Sequence, residues 1–206
     1  MVIVLALGPV ALPSCGGSGT VAPGYSAPPA PTPRAGAAPW PLPADPLKLV
    51  RQAGLTPTTH EFLTFHVHAH LDVFVNGRHE PVPGGIGIDT ADPAVHHGTT
   101  NGAPAYGGIK LCPQPCVSPL HTHDVTGVVH IEAPRQGRYT LGQFFQEWGV
   151  PLGTSCVGGY CRPTASVKVF VDGKSYTGDP ADIGLVDQQE IAVVIGTPPA
   201  SVPAVF

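Results

Sequence analysis

Six histidines stand at spacings that suit one or two bound metal ions. In Thr64-Phe65-His66-Val67-His68-Ala69-His70-Leu71-Asp72-Val73-Phe74-Val75-Asn76-Gly77 the apolar residues alternate strictly with His66, His68, His70 and Asp72. That period of two is the pattern of a half-buried strand, apolar on one face and imidazole-rich on the other. Side chains at i and i+2 lie about 6.6 Å apart on a strand. Adjacent rings can therefore converge on one ion with metal–nitrogen bonds of ~2.0–2.1 Å. His66 and His70, at about 13 Å by the same arithmetic, are too far apart to share an ion easily without His68. A second pair, His121-Thr122-His123, and His130 shortly after it complete the set if the two segments pair.

Carboxylates accompany these rings. Asp72 lies two beyond His70, Asp124 follows His123, and Glu132 lies two beyond His130. A ligating imidazole commonly passes its other N–H to a carboxylate, carbonyl or water. Asp124 and Glu132 are also the candidates for a catalytic base. Donors of this type suit zinc or copper(II). The single Met1 gives no thioether set, and no Cys stands in a blue-copper pattern beside the histidines. His60, His79, His96 and His97 are expected in loops outside the site. His96-His97 and the His-Thr-His pair are similar to the copper motifs of peptide-hydroxylating monooxygenases, but the chain is too short for that fold and lacks its Met ligand.

The elements that must carry these residues can be read in order. Asp45-Pro46 starts a helix through Leu47, Leu49 and Val50 that stops at Gly54. The His-rich strand follows, turned by Asn76-Gly77 into a return strand toward Val82-Pro83. Residues 84–89 read as a short strand or turn, and residues 90–119 as a long irregular insertion. A hairpin spans His121 to Glu132 around Thr126-Gly127, with Val129 and Ile131 on one face and His130 and Glu132 on the other. Thr140 caps a helix over Leu141–Trp148 ended by Gly149, its apolar residues spaced i, i+3, i+4, i+7. Ser166–Val171, a turn at Asp172-Gly173, and Glu190–Ile195 are the last strands. The expected class is α+β and strand-rich, a mixed sheet with one or two short helices. From His121 to about residue 196 the order resembles the β-grasp, ubiquitin-like arrangement; a β-sandwich is the alternative.

Four cysteines fall in this part as Cys112-x3-Cys116 and Cys156-x4-Cys161. Two disulfides are expected in an exported chain, with three connectivities open and a zinc held by all four thiolates as the competing reading. Gly 26 and Pro 26 among 206 residues, with only 12% charged residues, suit a loop-rich and strand-rich exported protein. A net charge of −4 and no basic cluster exclude a nucleic-acid surface. No P-loop, dinucleotide fingerprint or nucleophile elbow occurs.

Val2 to Leu12 is an apolar run of signal-peptide length. With Leu12-Pro13-Ser14-Cys15-Gly16-Gly17 it resembles a bacterial lipobox, in which Cys15 is lipidated after cleavage. No Lys or Arg precedes the run, as a start assigned too far downstream would leave it. Residues 1–15 are thus read as a lipoprotein-type signal and 16–44 as a disordered Pro/Gly/Ala-rich linker. Residues 45–199 form a single metal-binding domain and 200–206 a tail. The motifs Phe65-His66-Val67-His68-Ala69-His70-Leu71, Leu120-His121-Thr122-His123-Asp124, Thr126-Gly127-Val128-Val129-His130-Ile131-Glu132 and Thr140-Leu141-Gly142-Gln143-Phe144-Phe145 resemble a group of uncharacterised exported proteins of bacteria and archaea. Three functions fit: a membrane-tethered extracytoplasmic zinc- or copper-binding protein, a zinc- or copper-dependent hydrolase or hydratase with a three-histidine site, or a structural or adhesion module stabilised by disulfides. The partners implied are a metal ion and, through Cys15, a membrane.

Overall fold

The computed structural model describes residues 36–206. The signal, Cys15 and the first part of the linker lie outside the described residues. In chain order the elements are α1 (Pro46–Gln52), β1 (Phe65–Val75), β2 (Arg78–Glu80), β3 (His96–Thr100), β4 (Ala103–Gly107), β5 (Leu120–His121), β6 (Val128–Ala133), α2 (Leu141–Trp148), β7 (Cys156–Val157), β8 (Tyr160–Cys161), β9 (Val167–Val171), β10 (Lys174–Tyr176) and β11 (Gln189–Ile195).

The main sheet runs β10-β9-β11-β1-β6-β5, with β2 paired to β1. The central pair β1 and β11 is parallel, and the remaining pairs are antiparallel, so the sheet is mixed. The class is α+β, and among the described residues a helix layer rather than a second sheet covers the apolar face. The β1-β6-α2-β9-β10-β11 order has the β-grasp form, but its first strand is the His-rich β1. The insertion before β5 separates β1 from its partner β6.

Alternation drives this arrangement. Ala69, Leu71 and Val73 of β1, Val129 and Ile131 of β6, and Ile191, Val193 and Ile195 of β11 are buried together with Leu141, Phe144, Phe145 and Trp148 of α2. Helix α2 is fixed at its start by a capping box between Thr140 and Gln143, and at its end by Gly149 in the left-handed region at φ 74°. Each such cap contributes about 1 kcal/mol.

Several boundaries differ from those read in the sequence. Trp40, within the stretch expected as linker, is buried at 4% exposure, edge-on to Trp148 with centroids 5.5 Å apart. At the other end, Val202 packs against Phe74, Ala192 and Val194, and Phe206 stacks on His70 at 5.7 Å. Residues 90–119 are not wholly irregular, since β3 and β4 pair as a hairpin around Asn101-Gly102, both at positive φ. His96 and His97 therefore lie on β3 and His79 on β2, rather than in loops. The cysteines form two local disulfides, Cys112–Cys116 and Cys156–Cys161, which removes the four-thiolate zinc reading. Among the described residues no helix is long and apolar enough to cross a membrane.

Candidate metal centre

Strand register gathers the imidazoles. His68 lies opposite His130, His66 opposite Glu132, and His121 opposite His130 from the other side. Three adjacent strands thus present one row, His121–His130–His68, on the face away from α2. Stacking and edge contacts link the rings: His121 to His130 at 5.3 Å, His123 to His130 at 4.4 Å, and His68 to His130 at 4.5 Å.

His121 and His123 are held rigidly. His121 is fully buried and donates from Nδ1 to the Ser118 carbonyl at 2.9 Å. His123 donates from Nδ1 to the Tyr106 carbonyl at 2.6 Å, so β4 of the insertion orients a ring of the site. Thr122 between them is buried, donating to the Pro83 carbonyl and accepting from the Ile86 N–H. The 84–87 turn crosses this segment so closely that a Cβ on Gly84 would lie 2.6 Å from Asp124 Cα, which explains glycine there.

With both Nδ1 atoms committed, both Nε2 atoms point inward at carboxylates. His123 Nε2 lies 3.2 Å from Glu61 Oε1, and His121 Nε2 lies 3.7 Å from the same oxygen and 4.0 Å from Glu132 Oε1. His121 Nε2, Glu61 Oε1 and Glu132 Oε2 are buried without a hydrogen-bond partner. Burial, then the neighbouring His123, pulls His121 down to about 3, so its ring is neutral and Nε2 carries a lone pair. Lone pairs and carboxylate oxygens aimed at one point repel each other unless a cation stands between them.

The other side of the cluster is open to solvent. His66 Nε2 lies 3.0 Å from His68 Nε2 and 3.1 Å from Glu132 Oε1, which also accepts from His130 Nδ1 at 3.2 Å. Burial, then the charges of His130 and His66, lowers His68. For Glu132, burial pulls upward but is outweighed by the His130 hydrogen bond and the nearby imidazoles, which keep it ionised. Glu61 goes the other way, raised because burial outweighs the His123 charge.

Within the cluster two groups of donor atoms lie close enough to hold an ion: His66, His68, His130 and Glu132, and His121, His123, His130 and Glu132; elsewhere His70, Asp72 and Glu190 form a third, and Asp92 with the disulfide-bonded Cys112 and Cys116 a fourth. Five of the six histidines read from the sequence meet here together with Glu132. His70 does not join them. Its Nε2 donates to the Thr126 carbonyl and its Nδ1 to Glu190 Oε2, both at 2.8 Å. The Glu190 hydrogen bond raises it. Asp72 is engaged by His79 Nε2 at 2.7 Å. Asp124, a candidate base, instead closes the β5–β6 turn by accepting from the Thr126 N–H and hydroxyl. Burial would raise Asp124, but these hydrogen bonds outweigh it and hold it below its ordinary value.

Glu61 is the site residue the spacing argument missed. It lies outside the helices and strands, between Thr58, which pairs with Val117, and β1. Thr58 and Thr59 carbonyls accept from Cys116 and Cys112 N–H groups, each at 2.8 Å. The disulfide loop therefore anchors the segment that delivers Glu61. No family model, no curated protein and no solved structure matches this chain.

Proposed function

We propose that this is a metal-binding protein whose strand histidines, with Glu132 and Glu61, hold zinc or copper(II). The observation that carries the reading is the buried Nε2 of His121, unpartnered and aimed at two carboxylates while its Nδ1 is fixed on a backbone carbonyl. Imidazole and carboxylate donors suit both metals, and the four cysteines of the domain are spent in disulfides. Two disulfides also suit an oxidising compartment. With the apolar run before Cys15, this supports an extracytoplasmic protein tethered to a membrane through a lipid on Cys15 and serving to capture, buffer or deliver the ion.

A metalloenzyme is the second reading, supported by the solvent-open flank at His66 and by Glu132 as a base beside a metal-bound water. Elemental analysis of tag-free protein tests the common premise. Zinc or copper is expected in the purified wild type, with a reduced content in both His68→Ala and His121→Ala. Unchanged content in both variants sinks the proposal. Cys15→Ser is expected to move the protein from the membrane fraction to the soluble one.

A further inference from the structure

We infer that the centre is built for two ions bridged by Glu132, one enclosed by His121, His123 and Glu61 and one exchangeable at His66, His68 and His130. This rests on the metal-binding reading and extends it to the number and the separate behaviour of the ions.

Seven side chains face the cluster: Glu61, His66, His68, His121, His123, His130 and Glu132. A single zinc takes about four donors. The two groups within mutual ligand distance have only His130 and Glu132 in common, so His66 and His68 fall on one side and His121 and His123 on the other. Glu132 stands between them. Its Oε1 lies among His66, His130 and His121, and its Oε2 is buried without a partner. A carboxylate with one oxygen among rings of both groups and the other left without a partner can bridge ions about 3.5–4 Å apart.

The flanks differ in the way a pair of unequal ions requires. On the enclosed side, the His121 ring is 0% exposed and both rings are fixed by the Ser118 and Tyr106 carbonyls. Glu61 adds an unpartnered buried oxygen there. On the other side the His66 ring is 33% exposed, and His66 and His68 meet only each other and their neighbours in the cluster, with no carbonyl bond to either ring among the described residues. Outer partners of that kind set how firmly a ligand is oriented. The His121 flank should therefore hold its ion slowly and the His66 flank release it readily.

The test counts zinc ions per chain by native mass spectrometry, on full-length protein loaded with zinc alone, and follows their removal by a chelator. Two cluster ions and a two-phase release are expected. His68→Ala should lose one ion and the fast phase, and His123→Ala one ion and the slow phase. The His68→Ala/His123→Ala variant should lose both. Differences between variants leave aside any zinc held elsewhere, including at His70, Asp72 and Glu190. If the double variant loses no more than each single one, the cluster holds one ion and the two-ion inference falls while metal binding stands. If the wild type takes up no zinc here and holds no copper on elemental analysis, both fall.

Discussion

The His121 ring is oriented by a short chain of buried groups that reaches from the metal face to the helix on the other side. Its Nδ1 donates to the Ser118 carbonyl, and the Ser118 hydroxyl donates to Glu147 Oε1 at 2.7 Å while accepting from the Leu120 N–H. Glu147 is fully buried on α2, and burial pushes it well above its ordinary value of 4.5. The folded state thus holds this proton more tightly than the unfolded chain. Stability is full below pH 4.5 and falls as pH rises toward the folded value, by up to about 1.4 kcal/mol per pH unit for one group. Glu147→Gln should flatten that fall, as read by urea unfolding of chelator-treated protein from pH 5 to 8; parallel curves for the two proteins would count against it. Glu61→Gln should weaken zinc binding about 10–100-fold, the range for groups that orient or supplement ligands. A competition titration against a zinc dye measures it. Five histidines were legible because strand alternation fixes which face a residue takes. Glu61 was not, because it follows no period and depends on a pairing between Thr58 and Val117. His70 has the right face but the wrong neighbour, since the parallel register brings Glu190 beside it.

At the scale of elements, the insertion between β2 and β5 forms a wall of the centre. Strand β4 supplies the carbonyl that orients His123, and the Cys112–Cys116 loop is hydrogen-bonded to Thr58 and Thr59, just before Glu61. The Cys112→Ser/Cys116→Ser variant should therefore lower zinc affinity while the far-ultraviolet circular dichroism of the main sheet is retained. Equal affinity would show that Glu61 is placed without that loop. Caps and alternation marked both helices and the strands of the main sheet in the sequence. The β3–β4 hairpin is less visible, because His96–Thr100 is largely exposed and shows no apolar period. Its signal is the Asn101-Gly102 pair, a turn that tolerates two consecutive positive φ angles.

The whole molecule divides its labour between the two faces of one sheet. One face is a core closed by α2 and Trp40, and the other carries the centre. Trp40→Ala removes a ring packed on Trp148, and should cost about 3–5 kcal/mol in unfolding measurements. Zinc content should be unchanged, because the ring lies across the sheet from the histidines. If the ion binds only the folded chain, zinc at about 100 times its dissociation constant adds about 2.7 kcal/mol, and a chelator should lower the melting temperature accordingly. No such effect would place the ion outside the folded domain.

Strand β11, wholly buried between β1 and β9, is the latest of these strands in chain order, yet it lies at the middle of the sheet. A nascent chain that has not yet emerged past Ile195 thus has β1 and its partner on one side, β9 and β10 on the other, and nothing to join them. Closure of the sheet must therefore wait until Ile195 has been made, and before then β1 with β6 and β9 with β10 are two ribbons that nothing joins.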